Sequence, residues 1–243
     1  MDYAERTGEV VKMERIEVGK LVAKGFQVSE AIKILRTNIL FSGTDLKAVA
    51  LTSNSANVGK STVSFQLAAS MAQSGKRVLL LDVDLRNSVM LKRVKPNVNI
   101  TGLSHYLSGM ASMEELVQQT DVENLSLIFA GPRVPNAAEL LGSKKFADLI
   151  LALKKEYDYI FLDAAPLGQV IDCAVISPYV DGVLIVVDVM HNTFKLEQRV
   201  VAQLEKAGAK ILGVVLNRVD FKDKHGYYGK AYRYGYDHVY GEE

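Results

Sequence analysis

Short apolar blocks alternate with helix-length segments along most of the chain, and this alternation constrains the fold more than any other feature. Blocks rich in Val, Ile and Leu, each bounded by turn residues, are KAVALTS, KRVLLLDV, LSLIFAG, YDYIFLD, DGVLIVVD and AKILGVVLN. Such blocks are typical of strands buried on both faces of a parallel sheet. The segments between them include STVSFQLAASMAQSG, AELLGSKKFADLILALKKE and NTFKLEQRVVAQLEKAG. We therefore predict an α/β fold in which helices flank a doubly wound, mainly parallel sheet.

The composition limits the class of protein. A length of 243 residues suits one large α/β domain, and a hydrophobic content of 49% allows a substantial core. The formal net charge of +1 gives no reason to expect bulk binding to nucleic acid. Because the one cysteine, Cys173, cannot form an internal disulfide, a reducing compartment is favoured. With no signal-peptide pattern and no apolar run long enough for a bilayer, we expect a cytoplasmic protein that reaches a membrane only through a partner.

The two ends of the chain depart from the alternating pattern. Residues 1–28 are polar and weakly periodic, and we expect a loosely attached arm there. A helix is predicted in SEAIKILRTNILFS with Ser29 as its N-cap, at the start of a main domain over residues 29–221. Residues 222–243 form a glycine-spaced tail without helical or strand periodicity, which we expect to be flexible. The tail presents the phenol groups of Tyr227, Tyr228, Tyr232, Tyr234, Tyr236 and Tyr240.

A phosphate-binding loop is predicted after the first apolar block, where the sequence reads TSNSANVGKST. Backbone N–H groups of the loop and of the following helix would wrap the phosphates of a nucleotide. Lys60 would reach the β- and γ-phosphates, and the Ser61 hydroxyl would ligate Mg²⁺. Asn54 replaces the usual first glycine, whereas Asn57, at another frequent glycine position, tolerates positive φ. The predicted loop contacts are Asn57, Val58, Gly59, Lys60, Ser61 and Thr62.

Carboxylates stand at the ends of two further predicted strands. Asp82 and Asp84 end LLLDVD, and Asp163 ends YIFLD. A buried strand that ends in carboxylates is costly unless these groups meet a cation. Each aspartate alone could be a helix cap, and GKS alone could occur by chance at a strand–helix turn. Their joint presence favours a site for a nucleotide and a metal ion.

These motifs resemble those of the bacterial tyrosine kinases, which belong to the deviant P-loop ATPases together with the Min-system and partition ATPases. LLLDVDLR is similar to the D-x-D-x-R motif of that family, and IFLDAAP resembles its Walker B motif. Glu30, Lys33 and Arg36 resemble its E-x-x-R-x-x-R-T-N segment, with Lys33 replacing one arginine. GPRVPNAAELL is similar to a linker of the family, and the tail is similar to its autophosphorylation cluster.

The resemblance implies a protein tyrosine kinase that uses ATP and Mg²⁺. Ser61, Asp84 and Asp163 would hold the metal ion, and Asp82 would act as the base that accepts the tyrosine proton. Arg86 would steady the acceptor or the phosphates. Asn217 and Arg218 would contact the adenine, although a turn-forming role is an alternative for Asn217.

The resemblance also implies assembly and partners. In a ring, Glu30 would pair with Lys33 or Arg36 of a neighbour, although Glu30 and Lys33 could instead pair within one helix. Subunits would phosphorylate each other's tails, the added charge would favour dissociation, and a cognate tyrosine phosphatase would reset the cycle. A membrane-anchored activator, similar to a polysaccharide co-polymerase adaptor, would promote nucleotide binding. Such pairs control capsular or extracellular polysaccharide, and external protein substrates are a further expectation.

Other functions fit parts of the sequence. A switch ATPase of the Min or partition type is one alternative, but Ser55 stands where the relatives that sandwich ATP across a dimer carry a signature lysine. A catalytically weakened adaptor is another, because Ala56, Asn57 and Val58 replace the usual P-G-E, and Ala164 replaces a hydroxyl residue. The tail tyrosines could also be stacking or interface groups that are never phosphorylated.

Overall fold

A single sheet forms the centre of the molecule. The computed structural model describes residues 15–97, 99–191 and 194–219, and the sheet lies within these ranges. Its strands are β1 Ala48–Ser53, β2 Val78–Asp82, β3 Gln118–Gln119, β4 Leu125–Ile128, β5 Tyr159–Asp163, β6 Gly182–Asp188 and β7 Ile211–Asn217. The tail predicted over residues 222–243, with its six tyrosines, lies outside the described residues.

The strand order is β3-β4-β2-β5-β1-β6-β7, and every pairing is parallel except that of β3 with β4. The six predicted apolar blocks correspond to β1, β2, β4, β5, β6 and β7, which confirms the predicted α/β fold. The sequence did not predict β3, because two glutamines at an edge carry neither apolar alternation nor length.

Helices cover both faces of the sheet. They are α1 Phe26–Phe41, α2 Lys60–Gln73, α3 Met90–Val94, α4 Leu103–Leu107, α5 Ala137–Leu141, α6 Lys144–Glu156, α7 Asp172–Ile176 and α8 Phe194–Lys206. The helical segment predicted after the third strand block divides into α5 and α6, because Ser143 caps the second helix by accepting a hydrogen bond from the Phe146 N–H at 3.3 Å.

Two hydrophobic clusters lie on opposite faces of the sheet. Successive residues of β1 alternate between them, as the pleat requires. Ala50 belongs to the cluster that contains Phe146 of α6, and Leu51 belongs to the cluster that contains Phe65 of α2. Because β1 is buried on both sides and lies between β5 and β6, the loop that follows it begins from a rigid position inside the sheet.

The segment before α1 is packed against the domain. The side chains of Ile16 and Val18 are buried, and the Ile16 N–H donates to the Gln119 carbonyl of β3 at 2.8 Å. Asp121 accepts hydrogen bonds from the N–H groups of Val18 and Gly19 at 2.6 and 2.9 Å. The prediction of a loosely attached arm is therefore wrong for residues 16–22, whose apolar side chains pack against the domain.

The first helix begins earlier than predicted. Its N-cap is Gly25, and the Ser29 N–H donates within the helix to the Gly25 carbonyl at 3.0 Å. The prediction that Ser29 caps this helix is therefore wrong, because the helical hydrogen bonds already include its amide. The helix exposes apolar side chains, with Phe26 71% and Phe41 85% exposed.

Candidate active site

The carboxyl ends of β1, β2 and β5 lie side by side at one edge of the sheet, and each carries predicted site residues. The phosphate loop follows β1, and Asp82 at the end of β2 lies directly opposite Asp163 at the end of β5 in the parallel register. Ligands of open α/β sheets bind beyond such carboxyl ends. The strand order therefore brings together residues that are up to about a hundred positions apart.

The loop conformation depends on residues with positive φ. Asn57 has a φ of 63°, as expected for an asparagine at a frequent glycine position, and Gly59 has a φ of 90°. The Asn217 side chain donates from Nδ2 to the Val58 carbonyl at 2.8 Å. A Cβ at Gly59 would lie 2.1 Å from that nitrogen, so any other residue would have to displace the Asn217 side chain.

The side chain of Lys60 is buried and ion-paired with Asp163. The distance from Lys60 Nζ to Asp163 Oδ1 is 2.5 Å, and the Ser64 hydroxyl donates to the same oxygen at 3.1 Å. A buried charge is costly unless it is paired and hydrogen-bonded. Here Lys60 and Asp163 supply the opposite charge and the hydrogen bond to each other. This ion pair fixes the side chain of Lys60, which is the first residue of α2 and directly follows the phosphate loop.

Among the described carboxyl groups, Asp82 has the pKa that departs most from its ordinary value. Burial raises its pKa to about 7, the nearby Asp163 charge adds to the rise, and the hydrogen bond from Ser88 and the charge of Lys60 oppose it. The Ser88 hydroxyl binds Asp82 Oδ2, and the Asp84 N–H donates to Oδ1 at 3.1 Å. A carboxyl group whose pKa lies near neutrality is suited to exchanging a proton with a substrate.

Asp84 faces the pocket from the turn after β2. Its Oδ1 accepts hydrogen bonds from the N–H groups of Arg86 and Asn87, at 3.3 and 2.9 Å, which fix the carboxylate. The pocket is lined by residues that include Lys60, Ser61 and Asp84. Within the described ranges no three His, Cys, Asp or Glu side chains form a cluster that could hold a metal by themselves. This donor set fits Mg²⁺, which uses one or two carboxylates and completes its shell with water and substrate phosphates.

Arg86 also lines the pocket, and Asp172, which was not predicted as a site residue, holds it there. Asp172, at the start of α7, accepts from Arg86 Nε at 2.7 Å and from Nη2 at 3.0 Å. The Asp172 side chain is buried, so this bidentate pair fixes the guanidinium plane. No local sequence signal indicated Asp172, since it follows a loop and not an apolar strand.

Asn217 and Arg218 join the last strand to the phosphate loop. Arg218 donates from Nη2 to the Asn57 carbonyl at 2.6 Å and from Nη1 to Asp188 Oδ2 at 2.5 Å. Asp188 is buried at the end of β6 and also accepts from the Met190 N–H at 3.0 Å. Asp188 was not predicted as a site residue, although it ends the apolar block DGVLIVVD as Asp163 ends YDYIFLD. The proposed contact of Asn217 and Arg218 with adenine stays a prediction.

The three charged residues predicted for the oligomer interface lie on α1. Lys33 Nζ is 2.6 Å from Glu30 Oε1 in the same helix. Of the two pairings that the sequence allowed, the single chain therefore forms the one within the helix. Arg36 donates from Nη1 to the Ser70 carbonyl of α2 at 2.8 Å. Pairing between subunits stays a prediction, as do phosphorylation of the tail tyrosines and the individual catalytic roles. Within the described ranges, no helix has the length and apolar character that crossing a membrane requires.

Comparison with known proteins identifies the family. The model of the AAA domain matches residues 46–214. The tyrosine-protein kinase CpsD of Streptococcus pneumoniae is 40% identical over 210 residues, which are 86% of this chain and 92% of that protein. The tyrosine-protein kinase wzc of Salmonella typhi is 32% identical over 231 residues, which are 93% of this chain and 32% of that longer protein. The crystal structure of the chimerical protein CapA2B2 superposes with a TM-score of 0.78 at 30% identity, covering 85% of this chain and 93% of that one.

These matches confirm the resemblance drawn from the motifs at the strand ends. The similarity covers nearly the whole of CpsD and includes the phosphate loop and the strands that end in Asp82 and Asp163. The chain belongs to the AAA domain family and, within it, to the bacterial tyrosine-protein kinases that CpsD represents.

Proposed function

We propose that this kinase transfers the γ-phosphoryl group of Mg-ATP to the tyrosines of its own C-terminal tail, in trans within an oligomer. The observation that carries the proposal is the convergence of Lys60, Asp82 and Asp163, with Ser61 and Asp84 facing the adjoining pocket. A cation, a metal-ligating hydroxyl and three carboxylates at one sheet edge supply the charges that phosphoryl transfer requires.

Each residue has a definite role in the proposed reaction. Ser61, Asp84 and Asp163 would hold Mg²⁺, which when bound would supply positive charge against the phosphates. Lys60 neutralises the β- and γ-phosphate oxygens. The tyrosine oxygen forms a bond to the γ-phosphorus as the bond to the ADP oxygen breaks. The phenol proton passes to Asp82, whose raised pKa allows it to accept the proton near neutral pH.

The departures from the usual family sequence are compatible with a competent loop. Asn57 adopts the positive φ that a glycine would supply at this position. The Asn57 carbonyl is held by Arg218, and the Val58 carbonyl is held by Asn217. These contacts favour an active kinase over a weakened adaptor, because the backbone that wraps the phosphates is fixed in spite of the altered side chains.

Features of α1 support self-association. This helix carries the segment with Glu30, and its exposed side includes Phe26, Ile34 and Phe41, of which Ile34 is 44% exposed. Exposed apolar side chains gathered on one element mark protein interaction surfaces more often than chance. We propose that Glu30, Lys33 and Arg36 exchange some of their internal contacts for contacts with a neighbouring subunit.

Two kinds of partner are proposed, a tyrosine phosphatase and a membrane-anchored adaptor. Full phosphorylation adds roughly −1.5 to −2 charges per tyrosine, so the tail would repel its neighbours and favour dissociation until a phosphatase removes the charge. The matched region is 32% of the relative wzc, and a membrane-anchored adaptor is the activator proposed for this chain. We propose that the cytoplasmic kinase is recruited in this way to the inner face of the membrane, where it regulates capsular or extracellular polysaccharide synthesis.

The experiment is incubation of the full chain with Mg-ATP, with and without an activator fragment, followed by mass spectrometry of the tail. Phosphotyrosine between residues 227 and 240 is expected, and replacing Lys60 with Met or Asp82 with Asn should lower it about 100-fold or more, since each removes a group used in the transfer. Release of inorganic phosphate without phosphotyrosine would instead indicate the switch ATPase. Absence of ATP binding would indicate the adaptor.

Transfer between subunits needs a separate mixture. A Lys60→Met chain with an intact tail is combined with a chain whose six tail tyrosines are phenylalanine. Because only the second chain is active and only the first has acceptors, phosphotyrosine on the Lys60→Met chain demonstrates transfer in trans. Its absence, with normal labelling of the unmodified chain alone, would show that each subunit modifies only itself.

A further inference from the structure

Cationic side chains surround the phosphate loop, and all but one of them have a carboxylate partner in the described part of the chain. The pairs are Lys60–Asp163, Arg86–Asp172 and Arg218–Asp188. The remaining cation is Arg93 on α3, which forms no ion pair with any described carboxylate. Its positive charge is therefore uncompensated by the residues that the structure describes.

Arg93 is oriented toward the nucleotide pocket by a neutral group. Its Nη1 donates to the Thr62 hydroxyl at 2.6 Å, and Thr62 lies in the first turn of α2 directly after Ser61. Arg93 also lines the same pocket as Lys60 and Ser61. Because a hydroxyl carries no charge, this contact fixes the guanidinium without neutralising it.

We propose that Arg93 binds the phosphate chain of the nucleotide, at a phosphate that ATP and ADP share. The inference rests on the proposed nucleotide site and adds to it a residue outside the family motifs. Lys60 and Ser61 serve the β/γ end of the triphosphate, whereas backbone amides at the start of the helix hold the α- and β-phosphates, where Thr62 lies. A guanidinium presents several N–H donors in a fixed plane, which suits phosphate oxygens.

A purely structural role does not account for Arg93. Its side chain is exposed, and Met90 and Val94 are the residues that anchor α3 in the core. Removing the guanidinium opens no cavity and leaves no buried charge without a partner. An Arg93→Gln chain should therefore fold with an unchanged melting temperature, which separates a binding defect from a folding defect.

The test is titration of the full chain with Mg-ADP and with a non-hydrolysable Mg-ATP analogue in a calorimeter. Arg93→Gln should weaken both affinities on the order of tenfold, the effect of losing one charge-assisted hydrogen bond. Arg93→Lys should recover part of the loss because it restores the charge. The matched control is Lys92→Gln, which removes the same charge from the adjacent exposed position outside the pocket and should bind like the unmodified chain.

The outcomes separate this inference from the proposed function. Equal affinities of Arg93→Gln and the unmodified chain would overturn it while leaving the nucleotide site intact. A loss of the same size in Lys92→Gln would also overturn it, since a general charge effect would then be sufficient. An unmodified chain that binds neither nucleotide would overturn the proposed site and this inference with it.

Discussion

At the scale of single residues, Asp181 shows how one carboxylate can join three elements. It lies just before β6, and its Oδ2 accepts hydrogen bonds from the N–H groups of Lys47 and Ala48 at 2.9 and 2.8 Å. Its Oδ1 accepts from Lys154 Nζ of α6 at 2.7 Å. The start of β1, the start of β6 and the end of α6 therefore meet at this side chain, at the edge of the sheet opposite the active site.

The acidity of Asp181 gives a pH-dependent prediction. Burial alone would raise the pKa of this carboxyl, but the hydrogen bonds from Ala48, Lys154 and Lys47 outweigh it and lower the pKa below its ordinary 3.8. The stabilisation is therefore present above that value and is lost as the pH falls through the folded-state pKa. Asp181→Asn should lower the free energy of unfolding by about 1–2 kcal/mol at pH 7, and by progressively less below about pH 4.

Urea unfolding of both chains between pH 7 and pH 3 measures this difference. Asp148→Asn is the control, because Asp148 forms a surface pair with Lys144 and is 55% exposed. That change should cost less than about 0.5 kcal/mol throughout the range. A constant difference for Asp181→Asn at every pH would show that its charge is unimportant to the fold.

Residues of the site were predictable when the signal was local and when the strand order could be inferred. Asp82 and Asp163 follow apolar strands, and the alternation of strands and helices placed both at one edge. Asp172 could not be found in this way, since its partner Arg86 lies 86 positions earlier and nothing near Asp172 marks the pairing. The Ser88 hydroxyl that binds Asp82 was missed for a related reason, because serine is common in turns.

At the scale of elements, the two ends of α2 provide a matched comparison of glycines. Gly59 precedes the helix with a φ of 90°, and Gly75 follows it with a φ of 84°. A Cβ at Gly75 would meet no atom within 4 Å, whereas a Cβ at Gly59 would meet the Asn217 amide. Both glycines adopt a positive φ, which other residues rarely adopt. Only at Gly59 would an added side chain also collide with a neighbouring atom.

Gly59→Ala should therefore weaken Mg-ADP binding at least tenfold, because the loop must move away from Asn217 or change its φ. Gly75→Ala should cost about 1–2 kcal/mol of stability from backbone strain and leave the affinity unchanged. Calorimetric titration and thermal melting of both chains measure the two effects. Equal affinities in the two variants would show that the contact between Asn217 and the loop does not shape the site.

Element types were more predictable than element boundaries. Long apolar blocks specified the six parallel strands, but the break between α5 and α6 depends on a capping serine inside a continuous helical pattern. The start of α1 was misplaced because Ser29 is a good capping residue, whereas Gly25 precedes the first turn that the backbone forms. The preference of serine for the N-cap position therefore did not decide where α1 begins.

For the molecule as a whole, the segment before α1 contributes to the stability of the domain. Ile16 is 4% exposed and bridges to the β3 edge, so Ile16→Ala should lower the free energy of unfolding by about 2–3 kcal/mol. Val28→Ala on α1 is the control, because Val28 is 50% exposed and should change stability by less than about 0.5 kcal/mol. Chemical denaturation measures the free energy of unfolding of both variants. Equal values would show that the segment before α1 does not stabilise the domain.

The ties from Asn217 and Arg218 to the phosphate loop have a mechanical consequence. The same two residues are also held by β6, where Arg218 pairs with Asp188 and Asn217 lies opposite Asp188 in the sheet. A displacement of the C-terminal end of β7 would therefore be shared between β6 and the carbonyls of Val58 and Asn57 in the phosphate loop.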